Sequence, residues 1–562
     1  MNISLFFITF AWLIGALVLI YSIAFMKGKK RKLEFYVYAL LTLAAATLAF
    51  LADDFVMFLV WWGSLLVLLY AMLGLDSYRT ALKAFTVVGL GDFCLILGVI
   101  FLMAMTGTRS MSAVSPVPTN TLFNAFVFFL IGMGAVIKTG VFKFHNWIID
   151  AAETNPSTTM AFLPASLDKF LGIYLFIRLV KDFFVPGPAV AVIFMAIGAF
   201  TIVLAVLLAL VQHDLKKLLA YHAVSQAGYM ILGIASGSII GIAGGLFHML
   251  NNTIYKTSLF LGAGNLEYRL GRTELSKLGG LAKLMPVTFA GMLIASLSIS
   301  GVPPFNGFVS KWMIYQGLIG GEGLHGFKIA FLIMAMFGSA LTLASFVKVL
   351  YSAFLSDKPA DIKEDSVREG HFLMKLPIII LSVLCVLFGI FAANFIMRPY
   401  IEPALGAPVP LIGIWSPGIA TILILAGIVI GLLIYALNSV PLRRSKAFIG
   451  GADLGDNSMP GTDFYRTVKD TQPLKAFYAY DEKGGFDFYG RLMSVAKFAG
   501  NVFYYCVDRF LNVVTNGAGK VFFVISGMFK NAHNGLLDRY VAWLLLGLIC
   551  IIGVLVKCMK CM

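Results

Sequence analysis

Asp92, Lys138, Asp168, Lys169, His222, His248, Lys256 and Lys311 all stand within long apolar stretches of the sequence. An ionisable group in such a stretch costs on the order of a few kcal/mol unless it faces a partner or a water-filled path, so each one is a functional candidate. A solute carrier needs one such cluster. A chain of lysine, histidine and aspartate spread over several segments suits a proton relay instead. His248, Asn252 and Lys256 are spaced four apart and share one face of a helix. Three polar groups on one stripe can pass a proton through bridging water. For any single one of these residues, and for Lys169 and Lys348 in particular, the alternative is a structural polar contact or a side chain that snorkels to the interface.

The elements that would position these groups follow from composition. Of the 562 residues, 60% are apolar and only 13% charged, with a mean hydropathy of +0.90. A soluble domain carries roughly a quarter charged residues, so the chain is an all-α, polytopic membrane protein. Fourteen apolar runs are long enough for helices, at about 5–26, 34–52, 55–75, 83–105, 122–145, 158–179, 187–211, 218–236, 239–265, 281–319, 328–355, 373–396, 415–437 and 541–559. Lys27, Lys29, Lys30, Arg31 and Lys32 follow the first run. By the positive-inside rule they place that loop in the cytoplasm, and the alternation that follows puts both termini outside. The net charge of +15 is spread over loops between apolar runs, so it reports topology and does not point to nucleic acid.

Two runs carry helix breakers beside their lysines. Lys138 is followed by the octet Gly140–Trp147, and Lys311 is preceded by the octet Gly301–Phe308. Broken helices at matching places in two halves point to the ion site of an inverted-repeat transporter. Residues 34–179 and 187–355, with five spans each, are the expected repeats; 1–33 is an N-terminal span with its basic loop, 356–437 holds additional spans, and 541–562 holds the last span. The segment 438–540 opens polar and rich in Gly, Asp and Pro, and from about Phe486 it mixes apolar and basic residues at spacings of three and four. This predicts a lateral amphipathic helix on the cytoplasmic side. Six cysteines are scattered, with Cys558 and Cys561 forming a terminal CxxC. No metal or cofactor site is expected.

Four stretches, Phe142–Ala151, Asp214–Tyr229, Phe247–Lys256 and Gly301–Lys311, together resemble the antiporter-like subunits of respiratory complex I, with relatives in Mrp-type cation/proton antiporters and membrane-bound hydrogenases. Lys83–Asp92 and the stretch with Val507–Arg509, Asn516 and Gly517 resemble the distal, L-type subunit with its lateral helix. The resemblance implies that Lys138 is the switching lysine of the first broken helix, that Lys256 with His248 and Asn252 links the halves, and that Lys311 serves the second broken helix. It implies an ion pair between Asp214 and Lys216 at the cytoplasmic edge. It also implies a prokaryotic cytoplasmic membrane and partner subunits that carry the electrons.

Departures from the family pattern sharpen the question. Trp62 stands where the family has the Glu partner of the first lysine, so Asp92 and Asp168 are the candidate acidic partners. Asn252 replaces the second histidine of the relay, Trp312 replaces an Asp after the last lysine, and Asn155–Pro164 lacks a histidine. Three readings stand: a proton-translocating subunit of a complex I-like dehydrogenase or hydrogenase; one member of an antiporter that exchanges H⁺ for a cation such as Na⁺; and a scaffold that no longer pumps.

Overall fold

Capping side chains and glycine stops cut the apolar runs into helices. Asp54 accepts from the backbone N–H groups of Val56 and Met57, Ser77 from that of Thr80, Thr121 from that of Asn124 and Ser238 from that of Gly241. Each satisfies donors that a helix N-terminus leaves over. At the opposite ends Gly107, Gly140, Gly271 and Gly301 adopt left-handed backbone, with φ between 66° and 78°. A side chain there is strained, so glycine is the residue that lets a helix stop.

The resulting fold, a computed structural model, describes residues 3–320, 323–362, 367–410, 471–533 and 535–560, with scattered positions between 411 and 470. Its helices are α1 (Ile3–Phe25), α2 (Lys32–Leu51), α3 (Phe55–Gly74), α4 (Tyr78–Thr106), α5 (Leu122–Thr139), α6 (Asn146–Thr154), and α7 (Ser157–Phe162), which runs through a π turn at Leu163–Leu167 into α8 (Asp168–Arg178). There follow α9 (Pro188–Leu210), α10 (Leu215–Ala235), α11 (Ile239–Leu270), α12 (Pro286–Ser300), α13 (Asn306–Ile319), α14 (His325–Leu350) and α15 (Phe372–Ile390). Twelve helical segments among the described residues are long and apolar enough to cross a membrane. The apolar run at 415–437 lies outside the described residues.

α11 is not among the twelve, because His248, Asn251, Asn252 and Lys256 lower its hydropathy. It is instead buried along nearly its whole length, packed by α1, α7, α10, α12, α13 and α15. A helix shielded from lipid on all sides can carry polar groups that a lipid-facing helix cannot. The run at 281–319 is two helices, α12 and α13, parted at Gly301, and the run at 122–145 stops at Gly140 before α6 resumes.

The succession of elements from α2 to α8 returns from α9 to α14. Each series has three unbroken helices, then a helix interrupted behind a left-handed glycine, then a last helix that ends in a π turn, at Leu179–Phe183 and at Tyr351–Leu355. The residues of the two series, Lys32–Arg178 and Pro188–Leu350, cover the stretches in which five-span repeats are expected.

Residues Met1–Tyr489 form one compact unit and Gly490–Met562 another. Within the first, the strap Leu474–Tyr489 lies against the bundle. Tyr478 donates from its hydroxyl to the carbonyl of Leu207 at 2.9 Å, and burial pushes the pKa of that hydroxyl up to about 12. Phe486 packs edge-on against Phe142 and Phe488 against Phe144, while Lys83 pairs with Asp150 at 2.9 Å and Asp487 at 3.2 Å. The second unit holds most of the 45-residue helical segment Phe488–Ala532 and the helix Leu537–Lys560. At 1.5 Å per residue the longer one measures roughly 65–70 Å, about twice the hydrocarbon core of a bilayer, so it is no simple span.

Gly301 has φ +78° and an added Cβ would meet Lys311 Cδ at 3.1 Å. Gly301→Ala is expected to cost about 1–2 kcal/mol and to lower the thermal midpoint in detergent, whereas Gly63→Ala, where the space is open, leaves it unchanged.

Candidate functional site

The break after Thr139 places Lys138 in the last turn of α5, buried and with no protein hydrogen-bond partner for Nζ among the described residues. Its ammonium stands 5.6 Å from the centre of the Trp62 ring, within the range where an aromatic face attracts a cation. The same indole donates from Nε1 to Asp92 Oδ1 at 2.7 Å. Trp62 of α3 therefore holds a carboxylate of α4 with its edge and a lysine of α5 with its face. The second oxygen of Asp92 is buried without a protein partner, as is Oδ2 of Asp168. The charge of Lys138 acts on both carboxylates.

Asp168 and Lys169 follow directly on the π turn Leu163–Leu167, a form of helix defect found often at functional sites because it re-aims side chains. Lys169 is turned onto the carbonyl of Thr139 and donates to it. This carbonyl is among those that the end of α5 leaves without helical partners. The charge of Lys169 also acts on Lys256 of α11, so the first broken helix and the central helix are in electrostatic reach.

Along α11 the expected stripe is in place and wholly buried. Lys256 donates to the carbonyl of Leu219 at 2.8 Å. Asn252 reaches the carbonyl of Ala165 at 3.5 Å, at the π turn of the first half, and its own oxygen has no protein partner. His248 is bonded on both sides, Nδ1 to Ser310 Oγ at 2.9 Å and Nε2 to Gln226 Oε1 at 3.1 Å, with the hydroxyl of Tyr255 3.5 Å from Nε2. Beyond Ser310, Lys311 donates across the second break to the carbonyl of Ile299 at 2.8 Å and to Ser339 Oγ at 2.9 Å. Its ammonium lies 4.7 Å from the ring centre of Tyr229. Asp92, Lys138, Asp168, Lys169, Asn252, Lys256, His248 and Lys311 thus form one buried polar axis through both halves.

A model of the NADH:quinone oxidoreductase/Mrp antiporter transmembrane family matches residues 52–342, the region that holds this entire axis. The chain belongs to that family. Among its relatives are the A-type subunit of a Na⁺/H⁺ antiporter from Alkalihalophilus pseudofirmus, 31% identical over 73% of this chain and 54% of that protein, and an uncharacterized protein of Methanocaldococcus jannaschii, 32% identical over 67% and 80%. NAD(P)H-quinone oxidoreductase subunit 5 of Paulinella chromatophora is 30% identical over 77% and 71%. The chain spans about half the length of the A-type antiporter subunits it matches. Its fold is shared with a chain of an archaeal respiratory complex, the membrane-bound sulfane sulfur reductase, at a TM-score of 0.75 and 24% identity over 98% of this chain and 88% of that one. It is shared with a chain of the Mrp complex of Dietzia sp. at 0.60 and 22% over 71% and 82%.

Against the family pattern, the structure corrects one expectation. Asp214 and Lys216 do not pair. Residues two apart at a helix start point in different directions, and Asp214 is spent on capping α10 through the N–H of Lys217 at 3.0 Å and on accepting from Thr273 Oγ1 at 2.6 Å. Lys216 instead pairs with Glu267 of α11 at 3.6 Å and donates to the carbonyl of Asn155 at 3.0 Å. The terminal CxxC is described only at Cys558, which is exposed. The expected site residues leave out Gln226, Tyr229, Tyr255 and Ser310, which lie inside the motif stretches, and Ser339, which lies outside them; their neutral side chains line the same axis. A search for polar residues of any kind on the faces that carry the lysines would find them.

Trp62→Phe removes the one side-chain donor to Asp92 among the described residues and leaves both carboxylate oxygens unpaired in a buried setting. We expect a loss of about 1–3 kcal/mol, read as a lower thermal midpoint in detergent, and a smaller loss when Asp92→Leu is already present, since the two residues share one interaction.

Proposed function

We propose that this chain is the proton-translocating, antiporter-like subunit of a complex I-like, redox-driven membrane complex, with electron transfer carried by partner subunits. The observation that carries this reading is the buried axis from Asp92 to Lys311. Charges along it act on one another within each half and where the halves meet: Lys138 on Asp92 and Asp168, Lys169 on Asp168 and Lys256, and Lys311 on His248. In a low-dielectric interior one charge displaced by a few ångströms changes a neighbour's protonation, so a push at one end can travel. Asp92 Oδ2, Lys138 Nζ, Asp168 Oδ2 and Asn252 Oδ1 are buried without protein partners, and such atoms are where internal water binds.

In this scheme a proton taken up at Asp92 or Asp168 removes a stabilising charge from Lys138, which releases its own proton toward Asn252 and Lys256. Lys256, His248 and Lys311 carry it through the second half. The two repeats at 34–179 and 187–355 are proposed to lie inverted in a prokaryotic cytoplasmic membrane, with both termini outside. The likeness to the archaeal respiratory complex extends over 98% of the chain and so takes in the long C-terminal helix, while the likeness to the Mrp complex extends over 71%. That helix is proposed to lie laterally and to grip neighbouring subunits. A second reading, exchange of H⁺ for Na⁺ driven by the ion gradient, is favoured by the 31% identity to the A-type Na⁺/H⁺ antiporter subunit.

In the intact complex reconstituted into vesicles, Lys138→Ala or Lys256→Met should lower proton translocation by roughly 10²-fold, the lower end of what a positioned proton-transfer group supplies, while electron transfer to an artificial acceptor continues. Undiminished translocation would return the chain to the scaffold reading. Sodium-dependent flux with no electron donor would instead establish the antiporter.

A further inference from the structure

His222, Ser345 and Lys348 are buried polar residues that stand outside the axis. His222 of α10 is fully buried; its Nε2 lies 2.8 Å from Ser345 Oγ of α14, and its Nδ1 has no protein partner among the described residues. Lys348 lies three residues beyond Ser345 on α14, hence on the same face. It donates to the carbonyls of Leu210 and Gln212, where α9 ends, at 2.5 and 2.8 Å.

Both ends of this row lead somewhere. Gln212 also lines a polar cavity of about 470 Å³, together with His213, Asp214, Lys216, Glu267 and Arg272. The cavity sits at the end of the bundle where α9 passes into α10 and α11 ends, the end that the positive-inside rule assigns to the cytoplasm. Inward, the ring of His222 packs 4.8 Å from that of Phe346, and the ammonium of Lys256 lies 5.8 Å from the same phenyl ring. Lys256 is bonded to the carbonyl of Leu219, three residues before His222 on α10 and therefore beside it. The charges that act on His222 are Lys256 from α11, Lys311 from α13 and Lys348 from α14.

A purely structural account covers Lys348, which caps the end of α9 with two hydrogen bonds. It does not cover His222. One hydrogen bond to a serine needs only one acceptor or donor, yet the second ring nitrogen is left buried and unsatisfied beside the central lysine, an arrangement that costs stability. Imidazole is the side chain that accepts a proton at one nitrogen and gives one up at the other.

We propose that the 470 Å³ cavity is the inlet of a second proton path, which joins the axis at Lys256 by way of Lys348, Ser345 and His222. The proposal rests on the proton-translocating reading above. In each transfer the Ser345 hydroxyl gives its proton to His222 Nε2 as it takes one from Lys348, with water bridging where side chains do not touch. The imidazolium then gives its Nδ1 proton to the Lys256 amine, a flip of the ring restores the starting tautomer for the next uptake, and Lys348 is recharged from the cavity. No other co-reactant is needed. The second half of the molecule thereby has its own supply of protons, separate from the carboxylates around Lys138.

The test uses the intact complex in vesicles, with translocation measured against the driving reaction. His222→Gln keeps a partner for Ser345 but cannot titrate; with Lys348→Gln as companion, each should lower translocation roughly 10²-fold and flatten its pH dependence, which a merely structural loss would not do. The double variant should be no slower than the slower single one. A cationic, membrane-impermeant thiol reagent added at the cavity face should inhibit Gln212→Cys to the same level and leave the unsubstituted protein unaffected; this surface variant decides the matter if the buried ones do not assemble. Full translocation by His222→Gln and Lys348→Gln, or by labelled Gln212→Cys, while Lys256→Met is inactive, would overturn the second path and leave the general reading standing. A double variant slowed by the product of the single effects would likewise overturn it, because it would place the two residues on separate routes. Full translocation by Lys256→Met would remove the reading on which the path depends.

Discussion

A lysine ammonium enclosed among helices has to be given electron-rich partners, because leaving water costs an ion several kcal/mol even after the protein relaxes. Four buried lysines meet this demand in the same way, by donating to backbone carbonyls: Lys169 to Thr139, Lys256 to Leu219, Lys311 to Ile299, and Lys348 to Leu210 and Gln212. Three of the four choose helix ends, where carbonyls have no N–H partner and the helix dipole is negative. The breaks behind Gly140 and Gly301 are therefore part of the charge design. The stops at those glycines supply spare carbonyls in the middle of the bundle.

Lys138 is the exception, and Trp62 explains how it is tolerated. An indole face at 5.6 Å attracts a cation by about 0.5–2 kcal/mol, less than a direct ion pair, while the indole N–H keeps the nearest carboxylate oxygen occupied. A carboxylate in direct contact would bind the ammonium strongly and resist its discharge. In the proposed relay, routing the contact through a neutral ring would couple Asp92 and Lys138 without locking them together. The residue that looks like a lost charge in the sequence thus bridges three helices, α3, α4 and α5.

Much of this arrangement is legible in the sequence, because membrane spans are long and their charges few. The helix limits, the breaks at Gly140 and Gly301, and the stripe of His248, Asn252 and Lys256 follow from periodicity and from rules that a single chain obeys locally. What eludes a linear reading is contact between helices distant in sequence. Nothing around residue 62 announces that its N–H meets Asp92, and nothing around Asp214 announces that Lys216 will turn to Glu267, fifty-one residues later, while Asp214 closes a helix end. Gln226, Tyr255 and Ser310 escape for another reason. They are ordinary residues in membrane helices, and only their convergence on His248 gives them meaning.

The two halves repeat one architecture yet distribute their charges differently, and the difference bears on direction. In the first half the carbonyl end of the broken helix is held by Lys169 from α8, which frees Lys138 to face two carboxylates. In the second half Lys311 holds that end itself, and the corresponding place on α14 is taken by the neutral Ser339. Among the described residues no carboxylate acts on Lys311. In the proposed relay the first half would change its charge by protonating Asp92 or Asp168, whereas the second, among the described residues, would do so by proton exchange along histidine, lysine and hydroxyl groups. In that proposal a disturbance arising among the carboxylates would pass through Lys169 to Lys256 and onward, while among the described residues no carboxylate acts on Lys311 at the far end. On the proposed function, two similar folds with unequal charge content would give the relay a preferred sense without any moving domain.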